Sequence, residues 1–272
     1  MIIIGERINS SRKTVKEALD NKDSNFLLKE AKDQFIANAE YVDINCAASQ
    51  GEEKELLSWL VELFQQEVGC LIAIDSPDAA AIKPALQLHK GKAFINSISG
   101  EKEKLETLLP LIKEYNAYAV ALLIDDKGMA LDVERRVAVA DDIINAAEEY
   151  GVSKENIFID PLAKPISTEP EQAKMFLETV KILKSKGIKT VGGLSNVSFG
   201  LPRRALINAV FLKLAIEAGI SAAIIDPTET LIQEILSGNV IDAEKSKIAE
   251  DAILAKDSYS MAYITAFREG KL

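Results

Sequence analysis

The chain predicts a (β/α)8 barrel, an α/β fold, on three observations. Short apolar runs alternate eight times with longer amphipathic helical patterns. The runs are almost continuously apolar, as strands covered by helices are. The length, 272 residues, is long for one ordinary domain and normal for such a barrel. No Gly-x-Gly-x-x-Gly follows the first strand, which weighs against an open sheet built for a dinucleotide.

Taken in order, the first strand reads IIIGERI (2–8) and the second YVDINCA (41–47), followed by the helical EEKELLSWLVELFQQEV. The third, CLIAIDS (70–76), precedes DAAAIKPALQLHK, which carries the single histidine, His89, as a surface or helix-end residue. AFINSIS (93–99) leads into EKEKLETLLPLIKEYN, and YAVALLID (118–125) into VERRVAVADDIINAAEEY. IFIDPLA (157–163) precedes AKMFLETVKILKSKG, KTVGGLSN (189–196) precedes another long helical pattern, and AAIIDP (222–227) is the eighth strand. Residues 240–272 add one or two C-terminal helices. No linker or composition shift divides the chain, so residues 1–272 read as a single domain.

Bulk properties narrow the function. With 48% hydrophobic residues the chain buries a large core, and a formal charge of -10 argues against nucleic acid or an anionic membrane as partner. No run approaches the roughly 18 apolar residues of a membrane span. The start MIIIGERINS has no basic n-region, so a cytoplasmic protein is expected. Cys46 and Cys70 are too few for a disulfide framework or a structural zinc site. One histidine disfavours a Ser-His-Asp triad, leaving acid–base work to carboxylates, amides, lysine or water.

The strand ends carry the polar chemistry: Asp43 and Asn45, Asp75, Asn96, Asp125, Asp160, Asn196 and Asp226. In a barrel these ends converge on the face that carries the active site. Helix capping is the plainer explanation of such residues, but better caps follow several of them. Ser76-Pro77 can start the helix after Asp75, Ser99 the helix near Glu101, and Ser167 or Thr168 the helix after Asp160. Asn196 precedes a loop running to Pro202. Asp125 and Asp226 stay ambiguous, and Asp43 could brace the barrel mouth. Arg203 and Arg204, at the helix start after Pro202, oppose the helix dipole, which points to an anion or polar substrate nearby or to an exposed pair.

A ring of carboxylates and carboxamides with little fixed positive charge does not suit a phosphate. A divalent metal could use its oxygens. A neutral heterocycle rich in N–H groups fits better, since the 2-amino and N3–H edge of a pterin gives two parallel hydrogen bonds to one carboxylate.

The motifs GERIN (5–9), VDIN (42–45), IDS (74–76), INS (95–97), IDP (159–161) and GLSNVS (193–198), in this order, resemble the pterin-binding methyltransferases. The resemblance covers essentially the whole chain and is nearest to the stand-alone methyltetrahydrofolate:corrinoid protein methyltransferases. It implies a TIM barrel, usually a homodimer, with tetrahydrofolate or 5-methyltetrahydrofolate as co-substrate and no intrinsic metal. The partner it implies is a corrinoid protein that supplies the cobalamin. Carried over by position, Asp75, Asn96 and Asp160 hold the pterin, with Ser198 and Arg204 in the substrate loop, and Asn196 lies by N5, the atom that gains or loses the methyl group. Phe199 departs from a polar residue of the family, which leaves the hydrogen bonding around N5 open. His89 lies in no Asp-x-His-x-x-Gly pattern, so no corrinoid-binding segment is evident in the chain.

On this reading Asn196 turns its donor or acceptor face to N5 as charge changes there, with water as proton source or sink. The alternatives are a dihydropteroate synthase-like enzyme, which would need basic groups for a diphosphate, and a folate-binding protein without turnover. A barrel aldolase would need a Schiff-base lysine, for which Lys164 is the nearest candidate.

Overall fold

The structure is a computed structural model and describes residues 1–49 and 51–272. Its strands are β1 (Ile2–Asn9), β2 (Tyr41–Asn45), β3 (Leu71–Asp75), β4 (Phe94–Ser99), β5 (Tyr118–Leu122), β6 (Ile124–Asp125), β7 (Gly128–Met129), β8 (Ile157–Asp160), β9 (Lys189–Thr190) and β10 (Ala222–Ile225). Eight of them form one sheet in the order β10-β1-β2-β3-β4-β5-β8-β9, every pairing parallel. The sheet closes beyond β9, where Gly193 bridges Ile224 in parallel. There the amides of Ser221 and Ile224 donate to the carbonyls of Thr190 and Gly192 at 3.0 and 2.9 Å. The expected (β/α)8 barrel is the fold, with β6 and β7 as a small antiparallel hairpin outside it.

Strand alternation sorts the side chains into two cores. Val42, Ile44, Ile72, Ile74, Ile95, Ala119, Ala121, Ile157 and Ile159 face outward and pack under the helices. Ile4, Tyr41, Ala73, Phe94, Val120, Phe158, Ala222 and Ile224 fill the barrel itself. The helices match this surface: Glu53–Glu67 buries Leu56, Leu57, Leu60, Val61 and Phe64, one stripe at helical spacing. The sequence shows the strands as continuous apolar runs because both faces are buried at this level.

Several boundaries differ from expectation. The fifth run does not stay one strand to residue 125, because Asp125 turns into the hairpin and pairs with Arg135. The seventh strand keeps only Lys189–Thr190, and residues 194–198 tighten into a 3-10 turn. Asp78, not Ser76, caps the helix Ala79–Leu88, while the Ser76 hydroxyl accepts from the Asp78 amide. Ser99 donates to Glu101 rather than capping, and the helix after Asp160 begins only at Gln172. Asn, Asp and Ser side chains offer competing local turns, so cap positions are the least certain part of a sequence reading.

His89 is the C-cap of its helix, as placed, but it is half-buried. Its Nε2 accepts from the Ile72 amide at 3.1 Å, so it serves as a neutral acceptor at the helix end. Burial lowers its pKa, in agreement with that role. At the C-terminus the helices Ala243–Ile253 and Met261–Arg268 pack back on the barrel. The buried Tyr263 donates its hydroxyl to the Arg203 carbonyl at 3.1 Å. Arg203 holds a left-handed conformation, φ 45°, so this contact braces the helix start that presents Arg204.

Candidate active site

The strand ends converge on a cavity of about 610 Å³. Asp43, Asp75, Asn96, Asp160, Asn196, Arg204 and Asp226 line it, together with Glu6, Arg12, Asn208 and Glu229. Register aligns Asn45 with Asp75 and Asp75 with Asn96, which puts these three side chains on one level. Of the residues expected to hold substrate, Asp75, Asn96, Asp160, Asn196 and Arg204 come together here. Ser198 does not reach the cavity. It is fully buried, donates to the Ser195 carbonyl at 3.0 Å and accepts from Arg204 Nε at 2.9 Å. With Arg204 Nη2 on the same carbonyl at 2.8 Å, it fixes the shape of the Asn196 turn from behind.

Hydrogen bonds fix which face each group shows. Asn96 Nδ2 donates to Asp43 Oδ1 at 2.9 Å, so its carbonyl oxygen is left as an acceptor. Asn45 Nδ2 donates to Asp75 Oδ2 at 2.9 Å, while the Asn45 oxygen takes the Ser10 hydroxyl. Asp160 accepts the Leu162 amide at 2.7 Å, and the fully buried Arg136, held by Gln172 at 2.6 Å, lends it favourable charge from behind. Asn196 lies exposed in its 3-10 turn, and among the described residues its side-chain amide has no hydrogen-bond partner.

Burial raises the pKa of several carboxyl groups in this cavity. Asp75 is pushed up to about 6 by burial, against the stabilising Asn45 amide. Asp160 also rises to about 6 by burial, against its backbone N–H bonds and Arg136. Asp43, 3% exposed, goes well above the usual carboxylate range through burial and the neighbouring Asp75 charge. Glu6 is pushed up to about 7 by burial, against the hydroxyl of Ser195, which donates to its Oε2 at 2.9 Å.

The ambiguous residues separate. Asp226 accepts from Arg7 at 2.8 Å and from Thr228, and Arg7 also pairs with Glu30 at 2.7 Å, so this network ties β1 to the end of its neighbour β10 and to the helix Ser24–Ile36. Asp125 belongs to the hairpin. Lys164 pairs with Glu169 at 3.3 Å and does not line the cavity, which removes the Schiff-base candidate. Phe199, 65% exposed, turns away from the cavity and lies beside the Arg204 guanidinium, 5.9 Å from ring centre to Cζ. Gly192 is required by packing rather than by ligand approach: a Cβ there would sit 2.7 Å from the Phe176 ring. In GERIN, Gly5 has the same cause, since a Cβ would meet the Gln34 side chain at 2.3 Å.

Sequence reasoning missed Glu6, Arg12, Asn208 and Glu229. Glu6 was legible in the alternation Ile2, Ile4, Glu6, which points all three inward. Asn208 lies one helical turn after Arg204, and its Oδ1 is buried without a hydrogen-bond partner among the described residues.

A barrel whose mouth holds fixed carboxylates and amides defines an enzyme-type site for a small polar molecule. The chain belongs to the pterin-binding enzyme family, which matches residues 5–226. It is 34% identical over its whole length to a methylcorrinoid:tetrahydrofolate methyltransferase of Eubacterium limosum, covering 98% of that protein. It is 30% identical to a methionine synthase of Mycobacterium tuberculosis over 93% of this chain, but spans only 22% of that longer protein. Dihydropteroate synthase of Coxiella burnetii, solved with pteroic acid, shares the fold with a TM-score of 0.65 at 14% identity, over 94% of this chain and 93% of that one. The Thermus thermophilus dihydropteroate synthase gives 0.66 at 16%, over 87% and 93%.

Proposed function

We propose that the protein is a methyltransferase that moves a methyl group between N5 of tetrahydrofolate and a corrinoid carried by a separate protein. The observation that carries the reading is the polarity of the cavity floor. Asp43 and Asn45 occupy the amide of Asn96 and one oxygen of Asp75, so that Asn96, Asp75 and Asp160 all offer acceptors. Such a floor calls for a ligand dense in N–H donors, and the pyrimidine edge of a pterin is one. The similarity to a methylcorrinoid:tetrahydrofolate methyltransferase supports the same substrate pair.

The corrinoid performs the difficult chemistry, and this chain orients and polarises the folate. Asp160, with Arg136 behind it, takes the 2-amino and N3–H groups, and Asp75 and Asn96 take the remaining donors. Asn196, whose side-chain amide is uncommitted among the described residues, serves N5. It changes donor for acceptor as the charge on N5 changes. Residues 1–272 act as one domain, and the working form is a cytoplasmic homodimer. A dihydropteroate synthase-like reaction fits less well. Glu6, Asp43, Asp75, Asp160, Asp226 and Glu229 outweigh Arg12 and Arg204 around the cavity, which disfavours a diphosphate.

The test mixes the protein with tetrahydrofolate and methylcob(III)alamin and follows the corrin spectrum. Folate-dependent demethylation with formation of 5-methyltetrahydrofolate is expected. Condensation of a pterin diphosphate with p-aminobenzoate instead, or folate binding without transfer in either direction, would overturn the proposal.

A further inference from the structure

Methyl transfer at N5 is accompanied by gain or loss of a proton there, and a side chain of the cavity can hold that proton in place of the water expected from the sequence. Asn196 cannot, since an amide neither gains nor loses a proton in this range. Most carboxyl groups of the cavity are committed elsewhere. Asp43 is bound to Asn96 and Asp75 to Asn45. Asp160 is held by backbone amides, and Asp226 is ion-paired to Arg7. Glu229 makes no hydrogen bond to the turn that carries Asn196, among the described residues. Glu6 differs from all of them. It rises from β1 into the cavity, makes no ion pair among the described residues, and is tied through Ser195 to the residue next to Asn196.

We propose that Glu6, oriented by the Ser195 hydroxyl, is the carboxyl group that takes and returns the N5 proton. The proposal rests on the methyl-transfer reading and deepens it. In transfer to tetrahydrofolate, the N5 lone pair forms the N–CH3 bond, the cobalt–carbon bond breaks with both electrons staying on the corrinoid, and the N5 proton passes to the Glu6 carboxylate. In transfer from 5-methyltetrahydrofolate, the Glu6 carboxylic acid protonates N5, the electron pair of the reduced corrinoid forms the cobalt–carbon bond as the N5–CH3 bond breaks, and N5 leaves as a neutral amine. The surroundings keep both forms accessible near neutral pH. Burial and the charge of Asp226 raise Glu6, while Ser195, Arg204 from the following helix and Arg12 from the loop after β1 lower it, to about 7. Asp43, on the adjacent strand, also faces it, and the Glu6 charge helps to raise the Asp43 carboxyl.

The sign follows for each direction. Transfer to folate needs the carboxylate, so its rate rises with pH through about 7. Transfer from methylfolate needs the acid, so its rate falls as pH rises through the same value. Single-turnover rates across pH, with tetrahydrofolate binding measured alongside by calorimetry, test this on the whole protein. Glu6→Gln should lower the rate about 100-fold and lose the inflection while still binding folate. Glu6→Asp should recover a slower rate with an inflection. Ser195→Ala, which removes the hydroxyl that lowers Glu6, should move the inflection upward. A Glu6→Gln protein that keeps the parent rate and inflection, or a Ser195→Ala inflection that does not move, overturns the role of Glu6 alone. A parent protein that binds folate but transfers no methyl group at any pH overturns the methyl-transfer reading, and this inference with it.

Discussion

Tyr41 and Asp43, Phe94 and Asn96, and Phe158 and Asp160 are pairs two residues apart on a single strand, so all six side chains point into the barrel. The lower member of each pair joins an aromatic plug. Phe94 packs on Tyr41, Tyr118 and Phe158 at centroid distances of 4.9, 5.0 and 5.0 Å, two of these contacts edge-to-face. The upper members form the cavity floor, where burial raises carboxyl pKa values instead of adding apolar contact. One step of about 7 Å along a strand, two residues, therefore separates a layer that stabilises the barrel from one that costs it stability. The costly layer is the one a ligand would repay.

The comparison breaks most visibly at the plug. Phe94→Ala should cost about 3–5 kcal/mol in denaturant unfolding, the range for a large buried aromatic residue. Its folded fraction should bind tetrahydrofolate nearly as the parent does. If that fraction loses folate binding as well, the two layers are not separable and the lower one shapes the site.

The next effect belongs to the mouth. Asn196→Ala removes a side chain with no hydrogen-bond partner among the described residues, so unfolding should barely change. Its contribution should appear in the transition state, where charge at N5 changes, and the transfer rate should fall about 100- to 1000-fold, roughly 3–4 kcal/mol. Binding of tetrahydrofolate should weaken much less. Transfer at the parent rate in single-turnover experiments would reduce the 194–198 turn to a structural element.

The two layers were not equally legible in the sequence. The plug residues sit inside apolar runs, and an unbroken run hides which of its members face inward. The floor stood out because Asp43, Asp75, Asn96 and Asp160 interrupt those runs at strand ends, where polar groups need a reason. Glu6 escaped notice because it falls in mid-strand, with Arg7 and Asn9 after it, and no strand end marked it. Ser198 was misplaced for the opposite reason: its motif position is next to the site, but the 3-10 turn rotates it inward onto Arg204. Arg136 could not be found at all, since a charged residue in an amphipathic helix reads as solvent-facing until the packing of Gln172 encloses it.

Asp160→Asn tests the division between the layers most directly, because one variant should show two changes of opposite sign. The folded-state pKa of Asp160, about 6, lies above its ordinary value of 3.8. The folded protein therefore holds this proton more tightly than the unfolded chain, and stability falls as pH rises from about 4 to 6, with the full cost present above that. Removing the charge should raise stability at pH 7 by about 1–3 kcal/mol and leave it unchanged below about pH 4. The same variant should bind tetrahydrofolate about 5- to 150-fold more weakly, since one pterin donor pair loses its acceptor. Loss of stability together with affinity, or unchanged folate affinity at pH 7, would contradict the account.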